Sequence, residues 1–155
     1  MSKITEPPFT LATAADEDLL LELMQEFYII EHLPYDEQVA CRALKELWSH
    51  THLGRIYLIH SEGKAAGYLV ITFGFSLEFH GRDAMVDELY LREAFRGRGL
   101  GRESLELVEA VCRQEGIQAV HLEVDHVNLR AQEVYRKAGY RDHDRHLLTK
   151  WLSSR

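Results

Sequence analysis

The hexapeptide Arg96-Gly97-Arg98-Gly99-Leu100-Gly101 sets three glycines and two arginines between a strand-like run and a helical one. A glycine-rich turn entering a helix presents unpaired backbone N–H groups at the positive end of the helix dipole, which suits a phosphate or pyrophosphate. Glycine lets the backbone approach phosphate oxygens closely, and the arginines add formal positive charge. The same glycines also suit a tight turn with close helix–sheet packing, and six residues alone do not separate these readings. Two common phosphate motifs fit badly. A dinucleotide fingerprint needs Gly or Ala where Ser104 stands, and a P-loop needs Gly-Lys-Ser/Thr where the chain has Gly101-Arg102-Glu103. Downstream, Asn128, Ala131 and Tyr135 fall at i, i+3 and i+7, one stripe of a helix. Upstream, Asp87 and Glu88 are adjacent carboxylates in a strand, where regular alternation turns only one of them toward any one face. The nine histidines form no ligand pattern, His50-x-His52 and Asp125-His126 coming nearest, so no metal is expected.

The elements that must position these residues are legible in the apolar spacing. An edge strand is expected around Phe9–Ala12, then a helix opened by Thr13 and Asp16 as a capping box. Leu19, Leu20, Leu23, Met24, Phe27 and Ile30 carry that helix to about His32, and Pro34 breaks it. A second helix turns Val39, Ala43, Leu47 and Trp48 inward. Two strands joined at Glu62-Gly63 read as a hairpin, and "AMVDELYL" as the strand before the glycines. After them, Leu100, Ser104, Leu105, Val108, Val111 and Cys112 form one helical stripe that Gly116 ends. "AVHLEV" reads as a strand, "NLRAQEVYRKA" as a helix, and "RHLLTKWL" as a last strand. Strands in a run, then alternating with helices, predict a mixed α/β sheet with helices on both faces. Residues 1–155 read as a single domain, without repeat, low-complexity segment or linker.

Composition narrows the function. With 46% hydrophobic and 28% charged residues the chain has the balance of a globular protein. A formal charge of −7 argues against a general nucleic-acid binder and suits a cationic small molecule or basic peptide. No apolar run approaches the roughly 20 residues that span a bilayer, so no membrane partner is expected. "MSKITEPPFTLATAADEDLL" lacks the apolar stretch of a secretory signal, which leads to the expectation of a cytoplasmic protein. Cys41 and Cys112 suggest neither a disulfide scaffold nor a zinc site.

The second half of the chain resembles the GNAT superfamily of N-acetyltransferases. Arg96-x-x-Gly99-x-Gly101 is similar to that family's acyl-coenzyme A signature, Gln/Arg-x-x-Gly-x-Gly/Ala. Asn128-x-x-Ala131-x-x-x-Tyr135, followed by Gly139-Tyr140, is similar to its second motif. The order of the upstream helices and hairpin also agrees. One departure is visible: the family often has proline shortly before the arginine, where this chain has Arg92-Glu93-Ala94.

The resemblance implies a GNAT-like acyl-CoA N-acyltransferase fold, with a central mixed, mostly antiparallel sheet, and acetyl-CoA as co-substrate. Arg96, Gly97, Arg98, Gly99, Leu100 and Gly101 would wrap the pyrophosphate. The main chain of Leu89, Tyr90 and Leu91 would bond the pantetheine arm as an added strand, with a backbone N–H near Leu89 as oxyanion donor. Asn128 and Ala131 would contact the coenzyme, Asn128 serving also as helix N-cap, and Tyr135 would protonate the leaving thiolate. The alternative for Tyr135 is packing of its helix. Glu88 is favoured as the base that deprotonates the amine, with Asp87 close behind, acting directly or through water. The competing reading pairs these carboxylates with Arg82 or Arg92.

Acceptor choice is expected from Tyr28, Glu31, Tyr35 and Glu78, with Asp36 and Glu37 adding charge, an acidic and aromatic approach suited to an amine cation. An ordinary solvated loop is the alternative. The implied function is transfer of an acetyl group from acetyl-CoA to a primary amine of a small cationic molecule or peptide. A non-catalytic acyl-CoA-binding module and a protein N-terminal or lysine acetyltransferase are the alternatives, and a homodimer is left open.

Overall fold

The computed structural model describes residues 7–153. Its chain contacts divide into two units, one running to Glu123 and one from Val124.

The first unit is built on a five-stranded sheet in the order β1-β2-β3-β4-β5. The strands are β1 (Phe9–Leu11), β2 (Gly54–Ser61), β3 (Lys64–Ser76), β4 (Gly81–Leu91) and β5 (Ala119–Leu122). The first four pair antiparallel in succession, and β5 joins β4 in parallel. The parallel pair requires a crossover, which helix α3 (Leu100–Gln114) supplies. Helices α1 (Glu17–Ile30) and α2 (Glu37–Ser49) fill the connection between β1 and β2.

Alternation along the strands builds a core on each face. Ile56, Leu58, Tyr68, Val70 and Tyr90 cluster with Leu20, Leu23 and Met24 of α1 and Ala40 and Leu44 of α2. Their neighbours Ile59, Leu69, Ile71, Ala84 and Val86 cluster with Leu100, Val108, Val111 and Cys112 of α3. This is the expected mixed sheet with helices on both faces. Leu20, Leu23, Leu69 and Ile71 are fully buried, each contributing about 1.5–3 kcal/mol of hydrophobic stabilisation.

Local chemistry sets the ends of the elements. The Asp16 carboxylate accepts the Thr13 N–H at 2.9 Å, one arm of the expected capping box. Asp36 caps α2 by accepting the Val39 N–H at 3.1 Å. The β2–β3 turn holds Glu62 at φ 54° and Gly63 at φ 72°, the doubly positive pair of a type I′ hairpin. In α3 the buried set is the stripe read from the sequence.

Three expectations are corrected. Helix α1 stops at Ile30, two residues before His32, and Ile30 is exposed while Leu21 is buried. The inner face of α2 is Ala40 and Leu44, with Leu47 and Trp48 partly buried; Val39 and Ala43 are exposed. The Trp48 indole donating to Ala12 O at 3.1 Å helps fix that rotation. No strand forms over residues 145–152, where Leu147, Leu148 and Leu152 are largely exposed. Apolar spacing supplies a strand's faces, but a strand also needs a ladder partner, and none is formed there among the described residues.

The second unit contains helix α4 (Leu129–Lys137). Its N-cap Asn128 accepts the Ala131 N–H at 3.1 Å, and Gly139 follows its end at φ 98°.

Candidate active site

The site begins with an irregularity in β4. Val70 pairs with Glu88 and Ile71 with Val86, so Asp87 is an extra residue, a β-bulge. The bulge resets the alternation of the strand. Ala84 and Val86 face α3, whereas Glu88 and Tyr90 lie on the α1–α2 side with Tyr68 and Val70. The expectation that adjacent carboxylates face opposite sides therefore fails here, because two residues oppose one. The charge of Asp87 is felt by Glu88, Tyr28 and Tyr68 alike.

Glu88 is held by two phenols. The Tyr28 hydroxyl of α1 donates to Oε2 at 2.5 Å, and the Tyr68 hydroxyl of β3 donates to Oε1 at 2.8 Å. Burial pushes the Glu88 carboxyl above its usual range; the two tyrosine bonds oppose that push without cancelling it. Burial also raises Asp87, although part of its surface is open to solvent. Both tyrosines are pushed up strongly, by burial and by the carboxylate they face, so neither ionises near neutrality. The arginines considered as partners are engaged elsewhere. Arg82 bonds to Glu115, and Arg92 grips Glu26 through Nε at 3.0 Å and a terminal nitrogen at 2.7 Å. That pairing holds Glu26 below the usual carboxylate range.

Beside the carboxylates, one edge of β4 has no strand partner among the described residues. Its pairing with β5 ends at Val86–Leu122, while its pairing with β3 continues to Leu91. The Arg92 N–H donates to Ala66 O in β3 at 2.8 Å. By alternation Tyr90 and Glu88 also turn their main chain to β3, and Leu89 and Leu91 turn theirs to the other edge. Of the three residues expected to present main chain to a ligand, Leu89 and Leu91 face away from β3, Leu91 with its carbonyl already accepting from Arg96. The Tyr90 side chain is buried, its hydroxyl donating to Glu26 at 3.0 Å.

This edge of β4 leads into the glycine loop. Arg96 Nε donates to Leu91 O at 2.9 Å, and Arg98 pairs with Glu62 at 3.1 Å while lying over the Phe95 ring. Gly97 and Gly99 have φ of 76° and 85°, which favours glycine. The first helical bond of α3 is Glu103 N–H to Gly99 O, leaving the N–H groups of Leu100, Gly101 and Arg102 without intrahelical partners. Packing is not the reason for these glycines. A Cβ on Gly97 would meet nothing within 4 Å, and on Gly101 only a Leu91 methyl at 4.0 Å. Gly101 needs no positive φ either, so an uncovered helix N-terminus without a side chain there fits a group that approaches the backbone. The Leu100 side chain is buried, so only its main chain is available to a ligand.

The residues expected at the acceptor side divide. Tyr28 bonds Glu88, and Tyr35 packs edge-on against Tyr28 with ring centres 5.8 Å apart, its hydroxyl donating to Leu21 O. Glu31 is exposed at the end of α1. Glu78 lies in the β3–β4 turn beyond the Ser76–Gly81 pair, six rungs from Val70–Glu88 and roughly 20 Å along the strand at about 3.3 Å per residue. In the second unit, Asn128 caps α4, Ala131 supplies the capped N–H, and the half-buried Tyr135 lies 6.2 Å from Tyr140 by ring centres.

The model of the acetyltransferase (GNAT) family matches residues 17–140. The chain belongs to that family. Among solved structures, an integron cassette protein from the mobile metagenome of Cole Harbour Salt Marsh is similar at 34% identity. Its TM-score is 0.85, over 96% of this chain and 93% of that one. A predicted acetyltransferase with acetyl-CoA from Clostridium acetobutylicum shares the fold at TM-score 0.78 and 17% identity, covering 92% and 94% of the two chains. A thialysine N-epsilon-acetyltransferase of Bos taurus is 29% identical over 49% of this chain. A D-amino-acid N-acetyltransferase of Saccharomyces cerevisiae is 38% identical over 36% of it. These matches span 44% and 35% of the two relatives' own lengths.

Within this GNAT fold, Tyr68 and Glu26 were not among the residues expected at the site, and Arg92 and Tyr90 were expected there in other roles. Tyr68 had a signal: a tyrosine amid the run Leu69-Val70-Ile71 must find a partner for its hydroxyl if the strand is buried. Glu26 had none, since its partners lie more than 60 positions away. No group of three or more metal-ligating side chains occurs among the described residues. No described helix is long and apolar enough to cross a membrane.

Proposed function

We propose that this protein transfers an acetyl group from acetyl-CoA to a primary amine of a small cationic molecule or peptide, by direct attack in a ternary complex. The observation that carries the reading is Glu88: a partly buried carboxyl held by the Tyr28 and Tyr68 hydroxyls, its pKa raised, beside the stretch of β4 that β5 does not pair. A general base for an ammonium works best when its pKa is lifted toward the working pH.

Acetyl-CoA supplies an activated thioester carbonyl. The loop Arg96–Gly101 holds its pyrophosphate, and the main chain of Leu89 and Leu91 holds the pantetheine arm. Glu88 takes a proton from the acceptor's ammonium, with Asp87 raising the local negative charge that attracts it. The amine nitrogen then bonds to the carbonyl carbon. The Leu89 N–H supports the charge that develops on oxygen. As the carbon–sulfur bond breaks, Tyr135 gives a proton to the departing sulfur, and the second proton shed by the nitrogen passes to solvent, from which the Tyr135 oxygen is reprotonated. Asn128 and Ala131 contact the coenzyme at the start of α4. In this reading residues 1–155 work as one GNAT domain.

The formal charge of −7 supports a cationic acceptor. Both curated relatives carry names that specify transfer to an amine nitrogen, in one case a side-chain amine. The ring faces of Tyr28 and Tyr35 suit an ammonium.

The experiment is an acetyl-CoA-dependent screen of polyamines, aminoglycosides, amino acids and peptides with free N-termini or lysines, reading the release of free thiol. Saturable turnover with one amine class is the expected result. Saturable acetyl-CoA binding without turnover on any amine would instead make the protein an acyl-CoA-binding module.

A further inference from the structure

The two oxygens of Glu88 are held by hydroxyls of unequal accessibility. Tyr68 on Oε1 is fully buried, enclosed by β3, α1 and β4. Tyr28 on Oε2 is half-buried and forms part of the aromatic wall with Tyr35. A carboxylate that accepts a proton from a ligand needs one oxygen fixed and the other reachable.

We infer that Tyr68 is a positioning residue that fixes Glu88 through Oε1, that Oε2 receives the proton, and that the Tyr28 hydroxyl holds the place taken by an acceptor N–H. This rests on Glu88 as the base. The titratable groups around it are Asp87 on β4, Tyr28 on α1, Tyr68 on β3, Tyr35 between the helices and Cys41 on α2. The Glu26–Arg92 pair engages Tyr90 next to them. Both tyrosine bonds favour the ionised carboxylate and oppose the effect of burial. Without the Tyr68 hydroxyl, Oε1 faces a region that water does not reach. Without the Tyr28 hydroxyl, water or the acceptor replaces it.

The test compares Tyr68→Phe and Tyr28→Phe by NMR titration of the Glu88 carboxyl carbon and by steady-state kinetics with an amine the wild type accepts. In Tyr68→Phe the titration midpoint of Glu88 should rise by about 1 to 2 pH units, and by less in Tyr28→Phe. Kinetically, Tyr68→Phe should lower kcat with KM little changed. Tyr28→Phe should lower the amine KM by about 2- to 10-fold, since the acceptor no longer displaces a bonded hydroxyl. Equal midpoints in wild type and Tyr68→Phe, or the same kinetic change in both variants, would overturn the inference. If the wild type turns over no amine, the base role fails, while the titration still decides whether Tyr68 positions the carboxyl. Should phenylalanine at position 68 unfold the protein, 3-fluorotyrosine there, a stronger donor of nearly the same shape, should lower the Glu88 midpoint. No movement with fluorotyrosine would equally overturn the inference.

Discussion

Glu88 sits where its charge is disfavoured, and that has a consequence for stability that can be measured without a substrate. Its carboxyl is raised in the folded protein, so the folded state binds more protons than the unfolded chain between the ordinary carboxylate range and the raised value. Stability therefore falls as pH rises through that interval. Glu88→Gln removes the titration while keeping an acceptor and adding a donor for the two tyrosines. Its melting temperature should match wild type well below the carboxylate range and exceed it at neutral pH. Thermal denaturation across pH checks this, and a variant less stable than wild type at neutral pH would refute it. Glu26 behaves oppositely, because Arg92 holds its pKa down. Glu26→Gln should cost stability at neutral pH and progressively less as the pH falls through the carboxylate range, which the same pH series of melting curves measures.

At the scale of elements, the glycine loop and the bulge do different work. Gly99 is fixed by its φ of 85°, so Gly99→Ala should cost about 1–2 kcal/mol through backbone strain alone. Gly101 is the cleaner probe, since a side chain there meets open space at ordinary helical geometry. Gly101→Val should leave the fold intact but abolish the melting-temperature increase that acetyl-CoA gives the wild type, whereas Gly101→Ala should keep it. Equal acetyl-CoA stabilisation of wild type and Gly101→Val would remove the loop from the coenzyme site.

Much of this level was legible in the sequence. The α3 stripe, the Glu62-Gly63 turn and the Asn128 cap follow from spacing and local propensity, which act within one or two turns of chain. What was not legible depends on partners distant in sequence. The bulge at Asp87 exists only relative to β3, and no pattern within "VDELYL" announces that its parity changes midway. The rotation of α2 favours the small Ala40 over the larger Val39 because the sheet decides which face fits. Residues 145–152 have the alternation of a strand, which does not by itself provide a ladder.

At the scale of the whole molecule, the family assignment places coenzyme and acceptor chemistry on a fold that also hosts other functions, so activity has to be tested through particular residues in each unit. Tyr135→Phe removes one hydroxyl from α4 and should leave acetyl-CoA binding nearly intact, while lowering kcat about 10²-fold. Stopped-flow turnover at saturating substrates measures it, and wild-type kcat in the variant would return Tyr135 to packing its helix. The most direct test of the account is the pH dependence of kcat/KM in wild type, Glu88→Gln and Asp87→Asn. The raised carboxyl predicts an acidic limb in wild type that ascends above the ordinary carboxylate range, because only the ionised base accepts the proton. Glu88→Gln should lower the rate by about 10²-fold or more and erase the limb. Asp87→Asn should keep the limb and shift it downward, since a nearby negative charge that raises the Glu88 pKa is gone. An unchanged limb in Glu88→Gln would contradict the assignment of Glu88 as the base, and its loss in Asp87→Asn alone would transfer that role to Asp87.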